Sequence, residues 1–586
     1  MKYFFPAIRT VLLFTGLVLS SCSDSWLEPD PKSFFAPKNV YVNEAGFQAG
    51  LVTLRKNLNY DFAGNRNPIS AEYSYSDIAV SGFQSDFRQN TPSNSQFLPI
   101  LSFFTAVYEY IKNANVLISR IDDIEWPREE TRNMILAEAY WHRAYWYYRL
   151  VNTYGDVPWI GIELKGTKLD FQSTSRDAIL KKIQADLEYA VQWLPVKPGA
   201  LGDVTKGAAN HLLTKVYLAN TEFDKAIASA TAVIDGPYRL MQSRFGSYAD
   251  DPVRNVLWDL HRSENKNNPQ NTETIYTTVD RADGPPEAWT AGAHTMRLYT
   301  PSWWAILDAT GNRACNWDTR TGDTLGIGNA DVRTNNYWHY TIWNENGYNW
   351  KTTPDLRRAD INWVEMTEIL TCRSGSPQIG LSLSKDYFSN LADTVGRWYP
   401  WPIYKTFIPT PNHTQPLGGQ SDMYIFRLAE TYLLRAEAYL WKGAASLAAD
   451  DINEVRARAK AKPVAVSDVS IDFIFDERSK ELYIEEPRHS EMVRVSFIIA
   501  RLNLNGYGLA GFSSKNWYYD RVMRVNHFYH PPIFFNFGFQ ATLEPHNVLW
   551  PVPQSAITAN TLGVINQNIG YAGADRNIAP LETIQD

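Results

Sequence analysis

Two stretches of the chain, Gly207–Ile234 and Ala429–Val455, carry the same helical pattern at one fixed offset. Leu212 aligns with Leu434, Tyr217 with Tyr439, Leu218 with Leu440, Ala226 with Ala448 and Val233 with Val455. Each stretch reads as two helices, joined at Asn220-Thr-Glu222 in the first and at Lys442-Gly443 in the second. A helical hairpin with a small residue at its crossing and aromatics beside it cannot bury its apolar face alone. It needs neighbours stacked on it, as in tetratricopeptide-like arrays. The expected fold is therefore mainly α, built on such hairpins. Helical spacing recurs at Tyr108, Ile111, Asn115 and Ile118, and at Ile135, Ala139, His142 and Trp146 in a run ending near Asn152. Gly155 and Pro158 stop that run, one by accepting positive φ and the other by lacking an amide proton.

The pattern breaks between about Pro237 and Gln420. Gly, Pro, Asn and Asp are frequent there, and the stretch carries most of the tryptophans, in a chain with 20 Trp, 33 Tyr and 27 Phe. Helical signal returns at Tyr424 and fades after Arg501. The expected organisation is residues 1–21, 22–236, 237–420 and 421–586: a leader, a helical region, a long irregular aromatic-rich insertion and a second helical region. Long loops on a rigid scaffold commonly hold function. A net charge of -7 gives no basic footprint for nucleic acid.

The leader itself is informative. Lys2 and Arg9 precede the apolar run Val11–Leu19, too short for a bilayer span of roughly 20 residues, which reads as a signal peptide. It ends Leu19-Ser20-Ser21-Cys22, similar to a lipobox, whose cysteine is lipidated. Cys22 is thus the expected anchor. Cys315 and Cys372 stand either as an oxidised pair or as two buried thiols.

Landmarks in order along the mature chain carry a family resemblance. They are Cys22-Ser-Asp-Ser-Trp-Leu-Glu-Pro29, Tyr110-Ile-Lys-Asn-Ala-Asn115, Arg143 through Pro158, Gly207 through Tyr217, Arg427 through Ala438, Asp451 through Arg456, Glu477 through Leu482 with Glu486 and Arg488, and Leu549 through Tyr571. Their order and spacing resemble the SusD/RagB family, surface glycan-binding lipoproteins of polysaccharide-utilisation systems. The resemblance implies a SusD-like helical fold, a SusC-like TonB-dependent transporter as partner, an outer-membrane surface location, and glycan capture without catalysis or cofactor. A peptide-binding, RagB-like member is the alternative, and a surface glycosidase is a third class. The stretch Glu485-Glu486-Pro487-Arg488-His489-Ser490 departs from the family pattern, so the helix after it is expected to start differently.

Sugars offer apolar C–H faces to flat aromatics and hydroxyls to amides and carboxylates. Two stretches mix these groups. One supplies Tyr73, Tyr75, Asp77 and Phe83; the other supplies Trp289, Trp338, Trp343, Tyr348 and Trp350. All nine are candidate ligand contacts. Trp303-Trp304 instead follow Thr300-Pro301, a helix-start signal, and are expected to pack. The pairs Glu485-Glu486 and Asp450-Asp451 are poor catalytic dyads, because adjacent helical residues do not face each other. The histidines form no zinc motif, and no phosphate loop or nucleophile elbow occurs, so no metal site is expected.

Overall fold

The protein is described from a computed structural model, covering residues 37–82, 91–93, 99–303, 306–308, 310–315, 325–368, 377–384, 398–410, 416–530 and 540–584. Cys22, Phe83 and Cys372 lie outside these residues, as does the leader; Cys315 is buried. Among the described residues no helix is long and apolar enough to cross a membrane.

The N-terminal helices are α1 (Glu44–Asn57), α2 (Pro68–Ser74), α3 (Pro99–Arg120), α4 (Glu129–Tyr154), α5 (Arg176–Trp193), α6 (Lys206–Ala219) and α7 (Phe223–Ile234). A short α8 (Val256–Leu260) follows in the insertion. The chain returns to long helices at α9 (Leu428–Trp441), α10 (Ala445–Arg458), α11 (Ile471–Leu482), α12 (Arg488–Arg501) and α13 (Trp517–Val525). Side chains of Asn43, Asn67, Ser175, Thr205, Ser470 and Asn516 accept from the first free amides of the helices that follow them. Helix α4 has no such cap; its first residues, Glu129 and Glu130, are exposed, so water reaches the free amides, and burial of nearly every residue from Ile135 to Tyr154 holds the helix. It runs between α3 and α5, and ends at Gly155 with φ at 72°.

Helices α5, α6, α7, α9 and α10 pack in series, so the two hairpins are neighbours through α7 and α9. Ala226 and Ala448 are both fully buried at the hairpin crossings. The turns match atom for atom. Glu222 N donates to Tyr217 O at 2.8 Å and Ala444 N to Tyr439 O at 2.9 Å, the wide bond that closes a helix C-terminus. The left-handed residue this requires is Gly443 (φ 76°) in the second hairpin and Thr221 (φ 59°) in the first.

Two antiparallel strand pairs stitch the insertion to the helices. Strand β1 (Ala79–Ser81) is followed by the small pair β2 (Val157–Pro158) and β3 (Ser173–Thr174). Then β4 (Thr274–Thr277), β5 (Val332–Thr334) and β6 (Tyr424–Arg427) follow, with β1 pairing β5 (Val80 opposite Arg333) and β4 pairing β6 (Thr274 opposite Arg427). The helical signal expected from Tyr424 therefore begins four residues late. Tyr-Ile-Phe-Arg is rich in β-branched and aromatic residues and finds an edge to pair with. Helix α13 also lies beyond the expected fade at Arg501; a capping Asn516 and the buried Trp517, Tyr518 and Val522 hold it.

A network of buried ion pairs fills the joint between α9, α10, α11 and α12. Arg427 bonds Glu273, Glu481 at 2.7 Å and Glu485 at 2.8 Å. Arg357 reaches in from the insertion to Asp355 and Glu477, both at 2.7 Å, and Arg456 bonds Glu477 at 2.7 Å. Arg478 meets Glu486 at 2.5 Å and Glu430 at 3.0 Å. Each guanidinium has at least one carboxylate in direct contact, which offsets the cost of burying its charge. Burial alone would raise the Glu477 carboxyl, but Arg357 and Arg456 beside it hold it at about 2.

Candidate ligand-binding cleft

The insertion carries a cavity of about 320 Å³. Three of its segments form the walls: 248–258, 361–364 and 402–407. The first wall is set by a helix start. Asn255 Oδ1 accepts from Leu257 N at 3.1 Å and Trp258 N at 3.2 Å, which begins α8 and fixes the backbone under Trp258. Asn362 joins the second wall to the first, donating to Asn255 Oδ1 at 3.2 Å and Leu356 O at 2.7 Å. The third wall pairs with the second: Tyr404 N donates to Asn362 O at 2.8 Å and Val364 N to Pro402 O at 3.0 Å. Thr295 Oγ1, donating to Thr406 O at 2.8 Å, brings Met296 in as a further lining residue.

A cation–aromatic ladder runs along one side. The guanidinium carbon of Arg254 lies 3.8 Å from the Trp258 ring centre, and that of Arg262 lies 4.0 Å from it. Two guanidinium groups that close cannot share one face, so they cover opposite faces of the indole. Phe407 continues the ladder, 5.3 Å beyond Arg262 and nearly parallel to Trp258. Arg262 is buried and gives its protons to carbonyl oxygens only: Phe407 O at 3.0 Å, Trp258 O at 3.3 Å and Tyr404 O. Burial pulls this guanidinium down to about 10; the exposed Glu264 opposes that and Arg254 adds to it. Arg254 donates to Ile361 O at 3.0 Å and lies 3.7 Å from Asp251.

Tyr248, 45% exposed, and Ile361, 40% exposed, stand at the rim. Trp363 lines the second wall, with its Nε1 donating to Arg357 O at 2.7 Å. Behind it lies Arg358, 4.3 Å from the Trp363 ring and 4.9 Å from that of Trp350. The cleft thus combines flat apolar surfaces, amide and carboxylate acceptors, and guanidinium donors in one preformed hollow, which is what sugar recognition uses.

The family model described as "SusD family" matches residues 254–571, and a second, "Starch-binding associating with outer membrane", matches residues 35–218. The chain belongs to the SusD family. Among its SusD relatives, "SusD-like protein P2" of Formosa agariphila is 29% identical over 230 residues, 38% of this chain and 45% of that one. The chain thus spans less than half of that relative. "Starch-binding protein SusD" of Bacteroides thetaiotaomicron is 25% identical over 423 residues, 67% of this chain and 71% of that one. The solved structure of a "Laminarin binding SusD-like protein" shares the fold with a TM-score of 0.61, at 22% identity, over 91% of this chain and 100% of that one. The SusD-like helical fold expected from the landmarks is the fold observed.

Against this SusD fold, most of the individual ligand residues expected from sequence need correction. Tyr73 is fully buried in α2, with its hydroxyl on Leu482 O at 2.9 Å and its ring edge-on to Tyr483. Tyr75 is buried against Trp550. Asp77 bonds Arg488 and Arg521, both at 2.7 Å; burial would raise its carboxyl, and the two guanidinium groups instead hold it at about 2. Trp338 packs 4.4 Å from Tyr483 and donates to Ser479 O, while Trp343 donates to Trp338 O at 2.8 Å. These five are core: their faces are spent on protein and none is open to a ligand. Phe83 lies outside the described residues. Trp289, 40% exposed, and the half-buried Tyr348 and Trp350 keep ring surface at the exterior, yet none lines the cavity.

Trp303 is buried, as expected, and Trp304 lies outside the described residues; the Thr300 hydroxyl turns back to Met296 O at 2.5 Å. Glu485 and Glu486 serve the buried ion network, and Asp451 bonds Arg435 at 2.7 Å. The residues that sequence reasoning missed are Tyr248, Arg254, Trp258, Arg262 and Phe407. A signal was present, because Arg254, Trp258 and Arg262 recur at intervals of four, and the two cations flank the short helix that carries the indole.

Proposed function

We propose that this chain is a surface glycan-binding lipoprotein that takes oligo- or polysaccharide into the cleft walled by Tyr248, Trp258, Asn362 and Phe407. The observation that carries the reading is the cavity itself, with aromatic rings and hydrogen-bonding groups converging within the insertion. Membership of the SusD family supports it, as do relatives whose names describe binding of starch and laminarin. Cys22 anchors the protein by its lipid at the outer-membrane surface, and a SusC-like TonB-dependent transporter receives the ligand. The protein works as a binder; Glu485, Glu486 and Asp451 of its adjacent carboxylate pairs are engaged with arginine. Trp289, Tyr348 and Trp350 are secondary contacts for a chain longer than the cleft.

Affinity electrophoresis of the soluble form starting at Ser23, through gels holding starch, laminarin and acidic polysaccharides, tests the reading. Retardation in one gel, lost on Trp258→Ala while the protein stays folded, is the expected result. No retardation in any gel, with binding to oligopeptides by calorimetry, would replace glycan by peptide.

A further inference from the structure

The buried arginines of the helical joint and those of the cleft are neutralised in different ways. In the joint, Arg357, Arg427, Arg456 and Arg478 each have a carboxylate oxygen within 2.8 Å. Around the cleft no comparable partner is found among the described residues. Arg262 is buried behind Trp258 and Phe407 and bonds only carbonyls. Arg254, on the wall, has Asp251 at 3.7 Å, beyond a direct hydrogen bond, and Asp251 Oδ1 is already taken by Val253 N at 3.0 Å. Arg358, buried behind Trp363, has Glu365 at 4.0 Å and no hydrogen-bond partner on any of its three guanidinium nitrogens. Glu365 is itself shared with Lys351 at 3.7 Å. Of the remaining carboxylates near these groups, the buried Asp259 is already paired with Arg244 at 2.5 Å, and Glu264, Asp360 and Glu368 are exposed to solvent and screened by it.

Carbonyl dipoles and ring faces stabilise a guanidinium but do not cancel its charge. Arg254 lines the hollow, and Arg262 and Arg358 lie behind its Trp258 and Trp363 walls, so cations with incomplete neutralisation stand on two sides of it. An anion in the hollow would meet Arg254 directly, where a planar fork of donors faces it, with Arg262 on the far face of the same indole. We propose that the cleft takes its ligand by an anionic substituent, so that the glycan is an acidic one bearing carboxylate or sulfate groups. This rests on the glycan-binding reading above and names its substrate class.

The test uses matched polymers that differ only in charge: polygalacturonate against its fully methyl-esterified form, and dextran sulfate against dextran, with laminarin and starch as further neutral gels. Retardation by a charged polymer and not by its neutral counterpart supports the proposal, and the pair that responds tells carboxylate from sulfate. With that polymer, Arg254→Gln weakens binding about tenfold and Asp251→Asn strengthens it, since a charge-assisted hydrogen bond is lost in one and a competing carboxylate in the other. Equal or stronger retardation by neutral polymers overturns the acidic class and leaves glycan binding standing. Charge-dependent retardation that neither variant alters overturns the assignment to this cleft. No retardation in any gel overturns both.

Discussion

The helical joint and the cleft use the same residue, arginine, to opposite ends. At the joint, Arg427 gathers Glu273, Glu481 and Glu485 around itself. In the cleft, Arg262 and Arg254 share an indole and leave their charge on offer. A buried guanidinium closed off by carboxylates is a fastener. One resting on aromatic faces is a group still open to a partner. The difference lies in the neighbours: acidic residues recur on α11 and the turn after it, whereas the cleft draws its neighbours from Trp, Phe and Tyr.

The largest test of that contrast removes one arginine from each region. Arg427→Leu would remove the shared cation from three buried carboxylates, leaving Glu273 and Glu481 to Arg458 and Glu485 to Lys405, and cost on the order of 3–5 kcal/mol in chemical denaturation. Arg254→Leu, half-exposed and without a direct carboxylate bond, is expected to cost under about 1 kcal/mol. Equal costs would erase the distinction. A second pair swaps tryptophans. Trp338→Ala should lose about 3–5 kcal/mol of stability through the cavity it leaves in the core. Trp258→Ala should lose ligand retention first and stability second, and a melting curve run beside each gel separates the two.

A third test is acid. Burial, partly offset by the nearby Asn547 and Val548 backbone, lowers His489 to about 3. The unfolded chain protonates it near its ordinary value of about 6.5. Between those limits the unfolded state holds the extra proton. Stability is therefore complete above about pH 6.5 and falls as pH drops toward 3, by about 1.4 kcal/mol per unit. His489→Gln should flatten that slope in denaturation midpoints measured from pH 7 to 4; an unchanged slope would place the acid limit elsewhere. The smallest effect concerns the hairpin turns. Thr221 holds the left-handed conformation that Gly443 holds without strain. Thr221→Gly should gain about 0.5–1 kcal/mol in thermal denaturation, with the glycine's greater unfolded freedom offsetting part of the relief.

The hairpins were legible because helical spacing is a property of neighbours in the chain. Leu212, Ala226, Leu434 and Ala448 announce their faces without help from the rest of the molecule, and Gly155 marks the end of α4 in the same local terms. The tryptophans were not legible one by one. Trp338 and Trp258 both sit in polar, irregular surroundings in the sequence. Only the distant strand pairing and α11 decide that Trp338 is walled in by Tyr483 while Trp258 edges a hollow. The same holds for Asp77, whose partners Arg488 and Arg521 are over 400 residues away. Every residue lining the cavity falls within 237–420, the aromatic-rich stretch where helical spacing fails.

The two strand pairs at the base of the insertion have an evolutionary consequence. With β1 clasping β5 and β4 clasping β6, the intervening chain leaves and rejoins the helices at fixed points. Such a base works as a socket. A lineage facing a new nutrient can exchange what is plugged into it, in length as well as in composition, without redesigning the helices beneath. The exchange is constrained where side chains reach from the insertion into the helical joint, Glu273, Trp338, Glu345, Arg357 and Lys405 among them. Replacements that drop those contacts must rebuild the seat.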